Sequence, residues 1–182
     1  MRLRARSPQL TRKDEAATSK LYPMPIDERW ERLSPADWNA LARAYLQEIR
    51  DASAPWRAET DESDWADDST PSSIVTMMSF TARPEQQFQF IRAATAYAES
   101  DEELGDLAAG PVEHLLGWHA AEYIGRIEVW AATDPKVARM LTGVWKHMMS
   151  DDTWARIRAI QARVPNPLSA YRPDADKAPP SP

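Results

Sequence analysis

Ser34-Pro35-Ala36-Asp37-Trp38-Asn39-Ala40-Leu41-Ala42-Arg43-Ala44-Tyr45-Leu46-Gln47-Glu48-Ile49 is the stretch that decides the fold. Ser34 supplies a side-chain acceptor for the orphan N–H groups of a first helical turn. Pro35 has no N–H to lose there, and Asp37 places an acid at the positive end of the helix dipole. Trp38, Leu41, Tyr45, Leu46 and Ile49 then recur three or four residues apart, which puts them on one face of an α-helix. That face must be buried against partners with the same period.

The partners lie on both sides in sequence. Residues 26–33 read as a short lead-in helix. Downstream, a run from Pro71 to about Phe80 is expected to place Ile74, Val75, Met77 and Met78 on one side, and Pro84 opens a helix with Phe88, Ile91, Ala94 and Ala98 in register. Ser100-Asp101-Glu102-Glu103 has the form of a capping box, a hydroxyl with a Glu three residues later. The short helix it starts is expected to end at Gly110 in a left-handed cap, with Pro111 beginning the next. A further helix is expected over about 121–132, through Tyr123, Ile124, Ile127 and Trp130. Asp134-Pro135 repeats the cap-plus-Pro start and leads Val137, Met140, Leu141, Val144 and Trp145. Ser150 caps a last helix with Trp154, Ile157 and Ile160 inward.

Strands find no support. There is no Asn-Gly or Asp-Gly turn and no clean apolar–polar alternation. The expectation is an all-α fold, an irregular helical bundle or a short α-solenoid of helix hairpins, although no repeat of fixed period is visible. Residues 26–164 read as a single helical domain. Residues 1–25 read as a disordered basic arm and 165–182, with six Pro, as a Pro-rich disordered tail.

Composition narrows the function. The 182-residue chain has 43% hydrophobic residues and eight Trp, enough for one core. It has no Cys, which excludes disulfides, thiolate nucleophiles and Cys-ligated zinc. The formal net charge is −6, so general nucleic-acid binding is not expected, and residues 1–20 are the exception with six basic residues against two acidic ones. Residues 2–13 of that arm lack aromatic residues to stack on bases and any amphipathic period, and read as solubilising. No apolar run approaches a membrane span and no apolar segment follows the basic N-terminus, so the expectation is a cytoplasmic protein without membrane contact.

The stretch Ala109-Gly110-Pro111-Val112-Glu113-His114-Leu115-Leu116 resembles the Gly-Pro-Leu-Glu-x-Leu-Leu signature of an uncharacterised bacterial family, domain-of-unknown-function family 6869. Tyr123-Ile124-Gly125-Arg126-Ile127-Glu128, Asp134-Pro135-Lys136-Val137 to Leu141 with Gly143-Val144-Trp145, and Trp154-Ala155-Arg156-Ile157 are similar to its later segments. The likeness is strongest over 109–160. Ala120 stands where the family pattern has Gly, so the helix is expected to run on there. The resemblance implies an all-α bacterial protein and brings no activity or catalytic residues.

Candidate chemistry is sparse. The three His are His114, His119 and His147. His119 and Glu122 share a helical face, close to Glu113 and His114, and an imidazole–carboxylate pair is usable for acid–base work. His114 and His119 diverge by roughly 140° at about 100° per residue, and the Glu-x-x-His order of di-iron bundles is absent, so no metal site and no cofactor are expected. The hydroxyls from Ser69 to Thr81 lack a nucleophile motif and fit caps and turns. Glu113 reads either as a helix-start charge or as a buried anion for Arg126, Arg139 or a partner's Arg. The acidic segment with Asp61, Glu62 and Asp64 carries Trp56 and Trp65, which either pin it to the core or form a protein-binding surface. The leading functional expectation is a non-enzymatic helical module that binds another protein, in a bacterium a toxin, a regulator or an assembly subunit. The alternative is a small helical hydrolase or ligand-binding protein using the His114, His119 and Glu122 region.

Overall fold

A computed structural model describes residues 26–52 and 70–168. The chain there is all-α. A 3-10 turn, Glu28–Arg32, precedes α1 (Pro35–Ala52), α2 (Pro71–Thr81), α3 (Pro84–Tyr97) and α4 (Asp101–Leu107). A π-helical turn, Ala108–Val112, runs into α5 (Glu113–Thr133). Then come α6 (Pro135–Met140), a 3-10 turn Leu141–Gly143 and α7 (Asp151–Gln161). The described residues contain no strand.

Among the described residues, five of the seven α-helices start at a side-chain cap that the local sequence supplies. Asp37 N donates to Ser34 Oγ at 3.3 Å while Ser34 N donates to the Asp37 carboxylate at 2.8 Å. The side chains of Thr70, Ser100, Asp134 and Ser150 accept a backbone N–H at the starts of α2, α4, α6 and α7, and at Ser100 the return bond to Glu103 completes a capping box. One helix end is closed from a distance: Lys136 Nζ donates to the carbonyls of Thr95, Ala96 and Ala98 at 3.1, 3.4 and 2.8 Å. An ammonium there meets the negative pole of α3 and ties it to α6.

Trp38, Ala42, Tyr45, Leu46 and Ile49 are buried and Leu41 is partly buried, so α1 sinks its stripe as its spacing requires. It lies along α3, whose Phe88, Ile91, Ala94 and Ala98 are all buried. Phe90 is buried with them and meets Tyr45 edge-on at 5.8 Å. α2 packs on α1, and Trp30 is fixed by stacking on Trp38 and by donating Nε1 to Thr81 Oγ1 at 2.8 Å. The second half of the core, with Leu107, Val112, Leu115, Leu116, Val137, Leu141 and Ile157 buried, joins α4 through α7.

Four expectations are corrected. Gly110 is not a left-handed cap, since no Gly has a positive φ among the described residues, and α4 does not stop there. Pro111 lacks the N–H of an α-helical bond and its ring would strike the carbonyl four residues back; the wider turn absorbs both, with Glu113 N reaching back to Ala108 O. No separate helix begins near 121, because α5 continues through a kink at His119 (φ −129°, ψ 24°). Met77 is exposed on α2, on the outer side of Val75 and Met78. Trp145 is also outside. α6 ends at Met140, and Val144 is extended (φ −77°, ψ 135°), so the stripe that began at Val137 does not carry on to Trp145.

The packed body reaches Leu168, a residue within the Pro-rich C-terminal stretch. Its side chain is buried and its N donates to Thr142 Oγ1 at 2.9 Å. Leu168→Ala is expected to lower the unfolding free energy by about 2 kcal/mol, the low end for an emptied leucine site because this one lies at the edge of the core. Urea denaturation followed by circular dichroism measures it. An unchanged midpoint would mean that the contact contributes nothing.

Candidate functional site

The π turn sets the neighbourhood of the sequence-predicted residues. It directs Glu113 inward, one residue before His114 faces α2. Glu113 is 8% exposed, and one of its oxygens accepts the backbone N–H of Trp145 at 2.6 Å. Burial pushes its carboxyl up to about 7, against the lowering effect of that N–H. The helix-start reading of Glu113 and its pairing with Arg126 or Arg139 do not hold. The continuous helix leaves no free first turn for it to neutralise. Arg126 instead binds Glu85 at 2.5 and 3.2 Å and lies 4.3 Å from the centroid of the Phe88 ring, and Arg139 binds Asp101 at 2.6 Å and the Asn166 carbonyl at 3.0 Å.

His114 stands edge-on to Phe80 at 4.6 Å. Burial, then the nearby His147 ring at 5.7 Å, push its imidazole below the ordinary range, which favours the neutral form. Its Nδ1 is buried and makes no hydrogen bond among the described residues. His119 lies at the kink, half-buried, pushed down by burial and drawn back up by Glu122, which is exposed on the same helix. The structure thus keeps His119 beside Glu122 but pairs His114 with His147, whose φ of 39° is left-handed.

His114 also lines a cleft of about 210 Å³ between α1, α2 and the π turn. Asp106, on α4, forms part of its wall, as do the hydroxyl-bearing side chains of Tyr45 and Thr76. Burial, then Glu102, push the Asp106 carboxyl up, and burial followed by Asp106 and Glu48 pushes the Tyr45 hydroxyl up. Sequence reasoning missed Asp106, Tyr45 and His147 as neighbours of His114. Pro111 within a helical run was the available signal, since widened turns concentrate at functional sites. Among the described residues no group of three or more His, Cys, Asp or Glu is arranged to hold a metal ion.

A second surface lies next to it. The turn 144–149 crosses α5 over Gly117, where a Cβ would sit 3.4 Å from Met148 Cβ and 3.5 Å from His147 Cδ2. Trp145 is 60% exposed, Met148 50% and Trp118, the residue after Gly117, 36%. Val144 and Met149 anchor this turn in the core from either end. On another side of the molecule α5, α6 and α7 enclose a wider groove of about 570 Å³, walled by Val129, Ala132 and Ile160, and Arg156 on its edge is bound to Glu128 at 2.8 and 2.6 Å. Trp56, Trp65, Asp61, Glu62 and Asp64 lie outside the described residues. No helix among the described residues is long and apolar enough to cross a membrane.

No curated protein and no solved structure matches the chain. The family model of DUF6869, a family of unknown function, matches residues 54–164, which takes in the π turn, His114, His119, Glu122 and the Trp145 turn. The chain belongs to the DUF6869 family.

Proposed function

We propose that this protein is a bacterial helical module that binds another protein through the face formed by Trp145, Met148 and Trp118. The observation that carries the reading is the exposure of Trp145 and Met148 on a turn whose ends, Val144 and Met149, are buried. A mobile tail would expose aromatic residues without fixing them. Here the turn is pinned by the Glu113 hydrogen bond to Trp145 N and by Met149 N donating to Lys146 O at 2.9 Å. A backbone already fixed in this way presents Trp and Met at a lower ordering cost than a loose segment would, and residues of this kind dominate interface centres. Lys146, bound to Asp151, and His147 supply a polar rim.

The test compares the full chain with a Trp145→Ser, Met148→Ser double variant. Both side chains are exposed, so the melting temperature is expected to move by no more than about 2 °C. Affinity capture from the native lysate is expected to recover a stoichiometric partner with the unaltered chain and to lose it with the variant. Equal recovery by both, or recovery by neither, counts against this face. Sedimentation of the purified chain reveals whether the partner is a second copy.

A further inference from the structure

We infer that the cleft between α1, α2 and the π turn is a binding site for a small organic cation, a primary ammonium on a short apolar body, held by Asp106 and by acceptor atoms of His114, Thr76 and Tyr45. This stands on different residues from the Trp145 face. The argument begins with charge. Asp106 is the one formally charged side chain among the described residues that line the cleft, and among them there is neither Lys nor Arg. An anion would enter against an unopposed carboxylate, whereas a cation gains a partner in a concave, partly desolvated place.

Hydrogen-bond accounting points the same way. A neutral imidazole offers one acceptor nitrogen, and the Nδ1 of His114 is buried with no partner among the described residues. The side-chain hydroxyls of Tyr45 and Thr76 make no hydrogen bond within the described residues either, and Tyr45 is otherwise buried. A carboxylate, an imidazole nitrogen and hydroxyls are what the three N–H bonds of an ammonium require. Ile49, Val75 and Pro111 add apolar wall to cover carbon. The volume of about 210 Å³ is that of roughly seven waters at about 30 Å³ each, which suits an alkylammonium of a few carbons. A bare metal ion is less suited, because among the described residues no three His, Cys, Asp or Glu side chains converge.

The probe is n-butylammonium, titrated into the full chain and followed by the NMR resonances of the His114 ring and the Gly110 amide, with n-butanol and butyrate as neutral and anionic comparisons of the same length. Saturable shifts of both resonances with butylammonium, and none with butyrate or butanol, are expected. Asp106→Asn is expected to weaken binding by about fivefold, the upper end for an exposed charge pair. Asp106 is exposed at its outer edge, so the variant is expected to fold, and unchanged amide spectra away from the cleft verify this. Thr76→Val, also at an exposed position, provides a second reading that spares the charge. Trp145→Ser is expected to leave butylammonium binding unaltered, which separates this site from the interaction face. The inference is overturned by equal binding of butanol, by affinity that ignores Asp106→Asn in a folded variant, or by no saturable shift at millimolar butylammonium.

Discussion

Glu103→Ala is expected to lower the unfolding free energy by about 3 kcal/mol and the melting temperature by roughly 10 °C. Glu103 is 1% exposed, yet it is fully employed. One carboxylate oxygen accepts the N–H groups of Glu99 and Ser100 at 2.5 and 2.9 Å, and the other accepts from Arg50 Nε. Burial pushes its carboxyl up, but the two backbone N–H groups and Arg50 more than reverse this and hold it below the ordinary value. Truncation to Ala leaves two backbone donors and a guanidinium edge without that acceptor and opens a void between α1 and α4. Arg50 keeps solvent and a 3.6 Å approach to Glu99, which is why the effect stays at the lower end for a broken buried pair. Arg50→Met is expected to cost only about 1 kcal/mol, because Glu103 retains both backbone partners.

The sign with pH follows from the lowered pKa. A depressed carboxyl contributes stability above its unfolded value of about 4.5 and loses it as pH falls through the folded value. Acid unfolding of the wild type is therefore expected to show a component that Glu103→Ala lacks. Thermal melts of the three proteins at pH 7 and pH 3 measure all of this. A Glu103→Ala protein within about 1 kcal/mol of wild type at pH 7 would show that the cluster is dispensable. Because Glu103 sits one turn before Asp106, its loss is also expected to disorder the His114 cleft.

That cluster was half legible. Ser100 and Glu103 read as a capping box because both bonds close within three residues, and the same locality made Ser34, Asp134 and Ser150 readable as starts. Arg50 is 53 residues away from Glu103, and nothing local specifies it. Helix ends were harder to read for a related reason. Gly110-Pro111 carries the local signs of a stop and a fresh start, and the chain overrides them with a wider turn because Leu107, Ala108, Val112 and Leu115 are all buried in one core. Trp145 fits the stripe begun by Val137 and Met140, but the helix had already ended. Around His114, the paired residue His147 comes from a left-handed turn and Tyr45 from α1. Sequence spacing along α5 could offer only His119 and Glu122, which share its helix.

The partner of Glu113 was invisible for a deeper reason. An isolated acid in sequence suggests a base, and Arg126 and Arg139 were the available ones. The structure supplies a backbone N–H, which no side chain announces, and an amide donor compensates a buried charge less than a guanidinium does. The expected consequence is a protein that is less stable at neutral pH than in mild acid at this site. The unfolded carboxyl titrates near 4.5 and the folded one near 7, so between those values the folded state holds a proton that the unfolded state has released. Stability contributed by Glu113 therefore falls as pH rises from about 4.5 to about 7. The full shift is discounted for relaxation and screening around the carboxyl, leaving about 2 kcal/mol.

His114 and His119 work in the opposite sense over part of the same window. Their lowered folded values mean that stability rises with pH as their unfolded forms, near 6.5, deprotonate. The wild-type profile alone mixes these contributions, and the difference between wild type and Glu113→Gln cancels the histidines. The amide keeps an oxygen for Trp145 N and cannot ionise. Glu113→Gln is expected to match wild type near pH 4.5 and to be more stable by about 2 kcal/mol at pH 8. Glu113→Ala removes the acceptor, so it is expected to free the Trp145 amide for hydrogen exchange at either pH. Urea titrations across pH 4.5–8 with amide exchange at Trp145 decide the matter. A constant difference between wild type and Glu113→Gln across that range would mean that the buried carboxyl titrates at its ordinary value. A Trp145 amide as protected in Glu113→Ala as in wild type would mean that the carboxylate does not hold the turn.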